Sequence, residues 1–151
     1  MSLFSGLNIS ASGLTANRLR MDVVSSNIAN ANTNRAQLVD GEWVPYRRKT
    51  VELSQSGVSQ FQQQLDSVMN KGSGQVSGVA VSKISEDQAP FTQSYDPTHA
   101  DADENGYVNL PNVDPIKEMV DLMSATRSYE ANVTAMNASK SMFMKALEIG
   151  K

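Results

Sequence analysis

The stretch LMSATRSYEANVTAMNASKSMF, Leu122 to Phe143, decides the fold. Leu122, Tyr129, Met136 and Phe143 recur seven apart along it, and Met119, Val133 and Leu147 fill most of a second row. Spacing of this kind, sustained over several heptads, marks a helix that packs along another helix. The front of the chain carries a matching stripe: Leu3, Leu7, Leu14, Met21, Val24, Ile28 and Ala31 fall three, four or seven apart. Neither segment can bury its stripe alone. The two ends therefore need each other, neighbouring copies, or both, which points to assembly rather than to chemistry.

The limits of both helices are legible. Asp114 is an N-cap and Pro115 occupies the first helical position, where its missing N–H costs nothing. From there the helix runs to Ile149, with Gly150 closing it. The first helix is expected from Ser2 to Ala31, capped by Ser2 or Ser5. It stops in Asn30-Ala31-Asn32-Thr33-Asn34, whose side chains compete for backbone hydrogen bonds. Gly6 and Gly13 sit seven apart on one face. That spacing fits either fraying near the terminus or close approach of a partner helix. In the last helix Val120, Met123, Ala131, Met142, Met144 and Ile149 lie off the main row, so the helix is apolar over most of its circumference. Five of the eight methionines are there, and methionine suits surfaces that fit several similar neighbours.

The middle follows a different rule. Val39-Asp40-Gly41-Glu42 predicts a two-residue hairpin turn, since Asp-Gly supplies positive φ angles. Trp43-Val44-Pro45-Tyr46 begins a strand that Pro45 confines to an edge or a bulge and that Val51 and Leu53 continue. From Ser54 to Gly78 the chain is rich in Gln, Ser and Gly. Phe61, Leu65, Val68 and Met69 fit a short helix there, and Lys71-Gly72-Ser73-Gly74 a flexible connection. Val79, Val81 and Ile84 predict a second strand, and Phe91 to Tyr95 a third. The expected fold is α+β: long N- and C-terminal helices pairing as a coiled coil, with a small irregular β domain between them. The divisions fall at 1–34, 35–112 and 113–151, with the first and last packing as one helical domain.

A net charge of −3 and a pI near 5.1 argue against nucleic acid. The one dense basic cluster, Arg47-Arg48-Lys49, reads as a solvated strand or loop. With no cysteine there are no disulfides or thiolate metal sites. No apolar run approaches the roughly 20 residues that span a bilayer, so membrane insertion is not expected. The N-terminus lacks the basic and apolar regions of a cleaved secretory signal. A chain that leaves the cytoplasm this way needs a dedicated export route.

Catalysis has little to rest on. Asp101-Ala102-Asp103-Glu104-Asn105-Gly106 matches the opening of a calcium loop, but its twelfth position is Asn112, not glutamate. A turn at Asn105-Gly106 that places Tyr107 and Val108 on a strand needs no metal. The glycines of Gly72 to Gly78 lack the strand and helix of a nucleotide loop. His99, the single histidine, lies in a Pro-Thr-His loop and reads as a surface side chain. No catalytic residue, metal ligand or cofactor is expected.

Ser26-Asn27-Ile28-Ala29-Asn30-Ala31-Asn32-Thr33 resembles the N-terminal signature of bacterial flagellar axial proteins, the rod, hook and hook-associated subunits. The run from Asn112-Val113-Asp114-Pro115 through Glu118-Met119-Val120 and Ala125-Thr126-Arg127-Ser128-Tyr129-Glu130-Ala131-Asn132-Val133 to Lys140-Ser141-Met142 resembles the proximal-rod members. Asn105-Gly106-Tyr107-Val108 and Pro111-Asn112-Val113 fit them too. The resemblance covers about the first 34 and last 50 residues, and after Thr33 the chain departs from it with Asn34-Arg35.

The resemblance implies a non-enzymatic structural subunit of the basal-body rod that serves motility. Such subunits leave through the flagellar type III export apparatus without signal cleavage. They stack helically, with copies of themselves and other rod subunits, into the drive shaft that transmits torque. The assembly interface is then expected at Leu7, Leu14, Met21, Val24, Ile28, Leu122, Tyr129, Val133, Met136, Phe143 and Leu147. The family motif is Asn27, Ala29, Asn30 and Thr33; Asn27, Asn30, Asn32 and Thr33 are expected to end the first helix and fix the hinge to the β element. Two other classes are weighed against this: a cytoplasmic coiled-coil adaptor or export chaperone, and a calcium-dependent binding module at the Asp101 loop.

Overall fold

A computed structural model describes residues 4–39, 41–56, 68 and 77–149. Leu3 of the front stripe, the Ser2 cap, Asp40, Phe61, Leu65, Met69, the Lys71-to-Gly74 connection and Gly150 lie outside the described residues.

The element order is α1 (Ser5–Ala29), β1 (Gln37–Val39), β2 (Glu42–Val44), β3 (Lys49–Gln55), β4 (Val79–Glu86), β5 (Thr92–Tyr95), β6 (Tyr107–Leu110) and α2 (Pro115–Ile149). The strands form three two-stranded sheets, β1–β2, β3–β4 and β5–β6. The architecture is α+β. The Asp114 carboxylate accepts the Ile116 and Lys117 amides at 3.0 and 3.4 Å, which is the N-cap the sequence predicts for α2.

The described residues fall into two compact units. The first comprises Met1–Leu19, Glu52–Lys83 and Ala125–Lys151. Within it, Phe4 stacks on Phe143 with ring centroids 5.7 Å apart, Gly6 faces Ser139, and Gly13 lies against the Asn132 amide. The α2 residue number falls as the α1 number rises, so the two segments run antiparallel. The chain at Gly78 crosses α1 closely. The Val79 N–H donates to Ser12 Oγ at 3.1 Å, and a Cβ at Gly78 would stand 2.4 Å from that oxygen.

The second unit comprises Arg20–Val51 and Ile84–Ser124. In the β1–β2 hairpin Leu38 pairs with Trp43 and Val39 with Glu42, and Gly41 carries a φ of 91°. The strand expected to run from Trp43 through Leu53 is broken at Pro45. Proline has no amide to offer a ladder. The next amides are engaged elsewhere, Tyr46 N–H on Thr33 O at 3.1 Å and Arg48 N–H on Asn112 Oδ1 at 2.8 Å.

β5 and β6 pair from Thr92 with Leu110 to Tyr95 with Tyr107, so residues 96–106 form their connection, longer than a two-residue turn. Gly106, at φ 80°, sits against Tyr95 and Pro97 at the end of that connection. Val23, Val24, Tyr46 and Val108 are buried in this unit, whereas Ala16 and Ala125 are the buried alanines of the first.

Candidate functional site

Along α2 the shielded positions include Glu118, Leu122, Ala125, Tyr129, Asn132, Met136, Ser139 and Phe143, alternating steps of four and three, with Asp121, Thr126 and Val133 half-buried beside them. One row of this seam is the predicted series Leu122, Tyr129, Met136 and Phe143, all half-buried. The other row differs from the expectation. Met119 and Leu147 are exposed, and their place is taken by Glu118, Ala125, Asn132 and Ser139. These side chains are small or polar, so apolar periodicity could not reveal them. Of the remaining predicted interface residues, Val24 is buried, and Leu7, Leu14, Met21, Ile28 and Val133 are half-buried.

The other side of α2 is open in the single chain. Ile116, Met119, Val120 and Met123, spaced as one helical stripe, are each more than half exposed. So are Met142, Met144, Leu147 and Ile149 near its C-terminal end. Isolated exposed apolar side chains are ordinary, but a continuous stripe marks an interaction surface.

In the second unit a polar junction forms where α1 ends. The Asn27 side chain is fully buried. Its Nδ2 donates to Lys49 O at 2.9 Å and to Glu118 Oε2 at 2.8 Å. Its Oδ1 accepts from the Lys49 amide at 2.9 Å and the Tyr46 hydroxyl at 3.0 Å. The amide group thus stands in for a strand neighbour at the first residue of β3.

Glu118, also fully buried, receives Arg48 Nε on its other oxygen at 2.6 Å. Arg48 reaches Asp121 at 3.3 Å and Asp87 at 3.7 Å, and Arg20 lies 3.5 Å from Asp121. Burial opposes the Arg48 charge, but the bond and charge of Glu118, then Asp121 and Asp87, outweigh it and raise the guanidinium's pKa. A buried carboxylate is tolerable here because both its oxygens are bonded, one by a cation.

The family-motif residues divide in role. Asn30 Nδ2 bonds back to Ser26 O at 2.9 Å, and Thr33 Oγ1 reaches Asn30 Oδ1 at 3.3 Å, closing the helix end. Ala29 is exposed. The basic cluster is not simply solvated: besides Arg48 in the junction, Arg47 lies 4.5 Å over the Phe91 ring and Lys49 5.7 Å over Tyr46. Sequence reading missed Tyr46, Arg48, Asn112, Glu118 and Asp121. The available signal was Glu118, a charged residue four before Leu122 and so on the shielded face.

In the Asp101 loop the carboxylates have protein partners. Arg35 binds Asp101 through Nε at 2.7 Å and through its terminal nitrogen, and His99 Nδ1 accepts the Asp101 amide at 3.1 Å. Asp103 Oδ1 accepts the Asn105 and Tyr107 amides at 2.9 and 2.8 Å. Among the described residues no group of three or more acidic or histidine side chains is placed to hold a metal ion.

Residues 7–37 match the family described as Flagella basal body rod protein, and residues 104–149 the one described as Flagellar basal body rod FlgEFG protein C-terminal. The chain is 63% identical to the flagellar basal-body rod protein FlgC of Bacillus subtilis over the full length of both. Identity to the FlgC of Borreliella burgdorferi is 45%, over 99% of this chain and 98% of that one. For Salmonella typhimurium FlgC it is 40% over the full length of both. The chain belongs to the FlgC family of flagellar basal-body rod proteins.

It is a structural component of the bacterial flagellar basal body, in the service of motility. The likeness read from residues 26–33 and from the C-terminal run extends to the middle, which those motifs did not cover. The adaptor and calcium-module alternatives find no support in these relatives. No helix among the described residues is long and apolar enough to cross a membrane.

Proposed function

We propose that this rod subunit builds the shaft through its two helical ends, which pair as an antiparallel coiled coil and then pack against copies of the chain and other rod subunits. The ends, 1–34 and 113–151, act as one helical domain, and 35–112 as a small β module carried on it. Two surfaces are at work. The seam residues Leu14, Leu122, Tyr129, Met136 and Phe143 hold the pair together, while the opposite side of α2 meets neighbours. Contacts of this heterologous kind, repeated without closing, generate a helical shaft able to carry torque.

The observation that carries the reading is the open apolar stripe Ile116, Met119, Val120 and Met123, each more than half exposed in the single chain. Export through the flagellar type III apparatus, without a cleaved signal, rests on the family likeness.

Because the chain has no cysteine, a single Met123→Cys subunit offers one thiol to a short crosslinker. In isolated basal bodies it is expected to link to neighbouring rod subunits, whereas Ser56→Cys, at the end of β3, is not. Linkage from position 56 with none from position 123 would place the neighbours elsewhere.

A further inference from the structure

We infer that Gly13 and Asn132 form a fit that makes α2 selective for its own α1, excluding a second α2 as helical partner. The inference rests on the reading that the two ends pair antiparallel.

The Asn132 amide lies flat over Gly13. A Cβ built on Gly13 would meet Nδ2, Cγ and Oδ1 of that amide at 3.0 to 3.1 Å. A swing of Asn132 away from Gly13 would cost the hydrogen bond its Nδ2 donates to Ser128 O on its own helix at 2.9 Å. On the other side, Gly13 O accepts from Asn17 Nδ2 at 2.9 Å, which stiffens α1 at the same level. One turn pair further along, Gly6 faces Ser139, where a Cβ would have ordinary room at 3.8 Å. The tight position is therefore Gly13, and glycine in a helix interior carries a propensity cost that a packing role explains.

The consequence for partner choice follows from composition. A helix laid along this seam fits without displacement only if it brings a residue without a side chain opposite Asn132; any larger residue requires the amide to give by a few tenths of an ångström. α1 has two glycines, Gly6 and Gly13, whereas α2 has none between Pro115 and Ile149. A second α2 laid on the seam would set a side chain against the Asn132 amide. A polar residue at a seam position specifies partner and register in just this manner, because it rejects alternatives more than it strengthens the correct pair. The apolar row Leu122, Tyr129, Met136 and Phe143 does not discriminate by itself, since it would accept any apolar stripe.

The test uses full-length subunits in cells, with Gly6→Cys and Ser139→Cys as a reporter pair, since a Cβ at Gly6 would lie 3.8 Å from Ser139 Oγ. Basal bodies are isolated, and both subunit incorporation and the intrachain disulfide are measured. The reporter chain alone is expected to form the disulfide. Adding Gly13→Asn is expected to lower incorporation and disulfide at least tenfold, with disulfide-linked dimers among the excluded subunits. The reciprocal exchange, Gly13→Asn with Asn132→Gly, is expected to restore both to within about threefold.

If the reporter chain enters rods and forms no disulfide, the pairing reading fails and this inference with it. If the reporter disulfide forms and Gly13→Asn leaves it and incorporation unchanged, the inference alone is overturned. A reciprocal exchange no better than Gly13→Asn also overturns it, because bulk at position 13 would then be harmful whatever it faces.

Discussion

The Asn27 carboxamide and the Lys49 peptide group exchange two hydrogen bonds, Nδ2 to O and N to Oδ1, each 2.9 Å long. A side chain on a helix thereby completes the hydrogen bonding of the first residue of a strand. Removing it leaves a peptide group without partners. Asn27→Ala is expected to destabilise the second unit by about 3 kcal/mol, the cost of several buried groups left unsatisfied. Urea unfolding measures the loss, and hydrogen exchange at the Lys49 amide should quicken. An exchange rate matching that of the parent would show that the bond is not maintained in solution.

Asn27→Asp should be worse than the alanine. The donor that meets Glu118 Oε2 at 2.8 Å becomes a second carboxylate in a buried place. Arg48 is not available to neutralise it, because it is already engaged by Glu118, Asp121 and Asp87. Of the two variants the aspartate is expected to give the lower urea midpoint at pH 7, and the reverse order would contradict the assignment of Nδ2 toward Glu118.

Met136 is the seam residue for which a charge tests pairing most directly. It is half-buried, so Met136→Asp is expected to cost about 2 kcal/mol, less than the several kcal/mol of a fully buried unpaired charge. Subunits with this change should stay soluble and fail to enter the rod, leaving cells without filaments, as should Leu14→Asp. Asn137→Asp, on an exposed neighbouring position, is expected to swim normally. Full motility of the Met136→Asp strain would misplace the seam.

Gly78 offers a rescue experiment. Its missing Cβ leaves room for Ser12 Oγ, which would otherwise be met at 2.4 Å. Gly78→Ala is expected to cost about 1–2 kcal/mol as an overpacking change. Adding Ser12→Gly should recover part of it by clearing the oxygen, although the bond to the Val79 amide is lost. Melting curves of the three proteins decide this, and no recovery in the double variant would move the clash elsewhere.

The Arg35–Asp101 tie gives a pH dependence. The hydrogen bond from Arg35 is the largest influence on the Asp101 carboxyl; with the charges of Arg35 and His99 it outweighs the opposing effect of burial and holds the group below its ordinary value of 3.8. A carboxyl depressed in the folded state stabilises above the unfolded value and loses that contribution as pH falls through the folded one. The tie should therefore be intact down to about pH 4 and weaken below it. NMR titration of the Asp101 side chain should show Arg35→Ala moving its midpoint up toward 3.8, and an unmoved midpoint would rule the tie out.

Much of this was written locally in the chain. Asp114 and Pro115 announce the start of α2 because capping is a matter of four adjacent residues. Val39 to Glu42 announce a hairpin for the same reason. The apolar row from Leu122 to Phe143 is legible because its period is that of the helix. The rest depends on meetings across long separations. Arg48 and Glu118 are 70 residues apart, and each alone reads as a solvated charge. Gly13 fits fraying or close helix approach equally well until Asn132 is set on it. The Trp43 strand reads as continuous to Leu53 because nothing local shows that the amides of Tyr46 and Arg48 are claimed by Thr33 and Asn112.

The polar junction also has a consequence in time. Asn27 and Glu118 are separated by 91 residues, so the loop their bond closes cannot form until most of the chain has been synthesised. Closing it then requires the conformational search of a long segment. Local elements such as α1 and the β1–β2 hairpin need no such wait. The front of this subunit is thus early to form and late to be joined to its last helix. During that interval the chain is open at the junction where Asn27 later ties the end of α1 to the first residue of β3 and to Glu118 of α2.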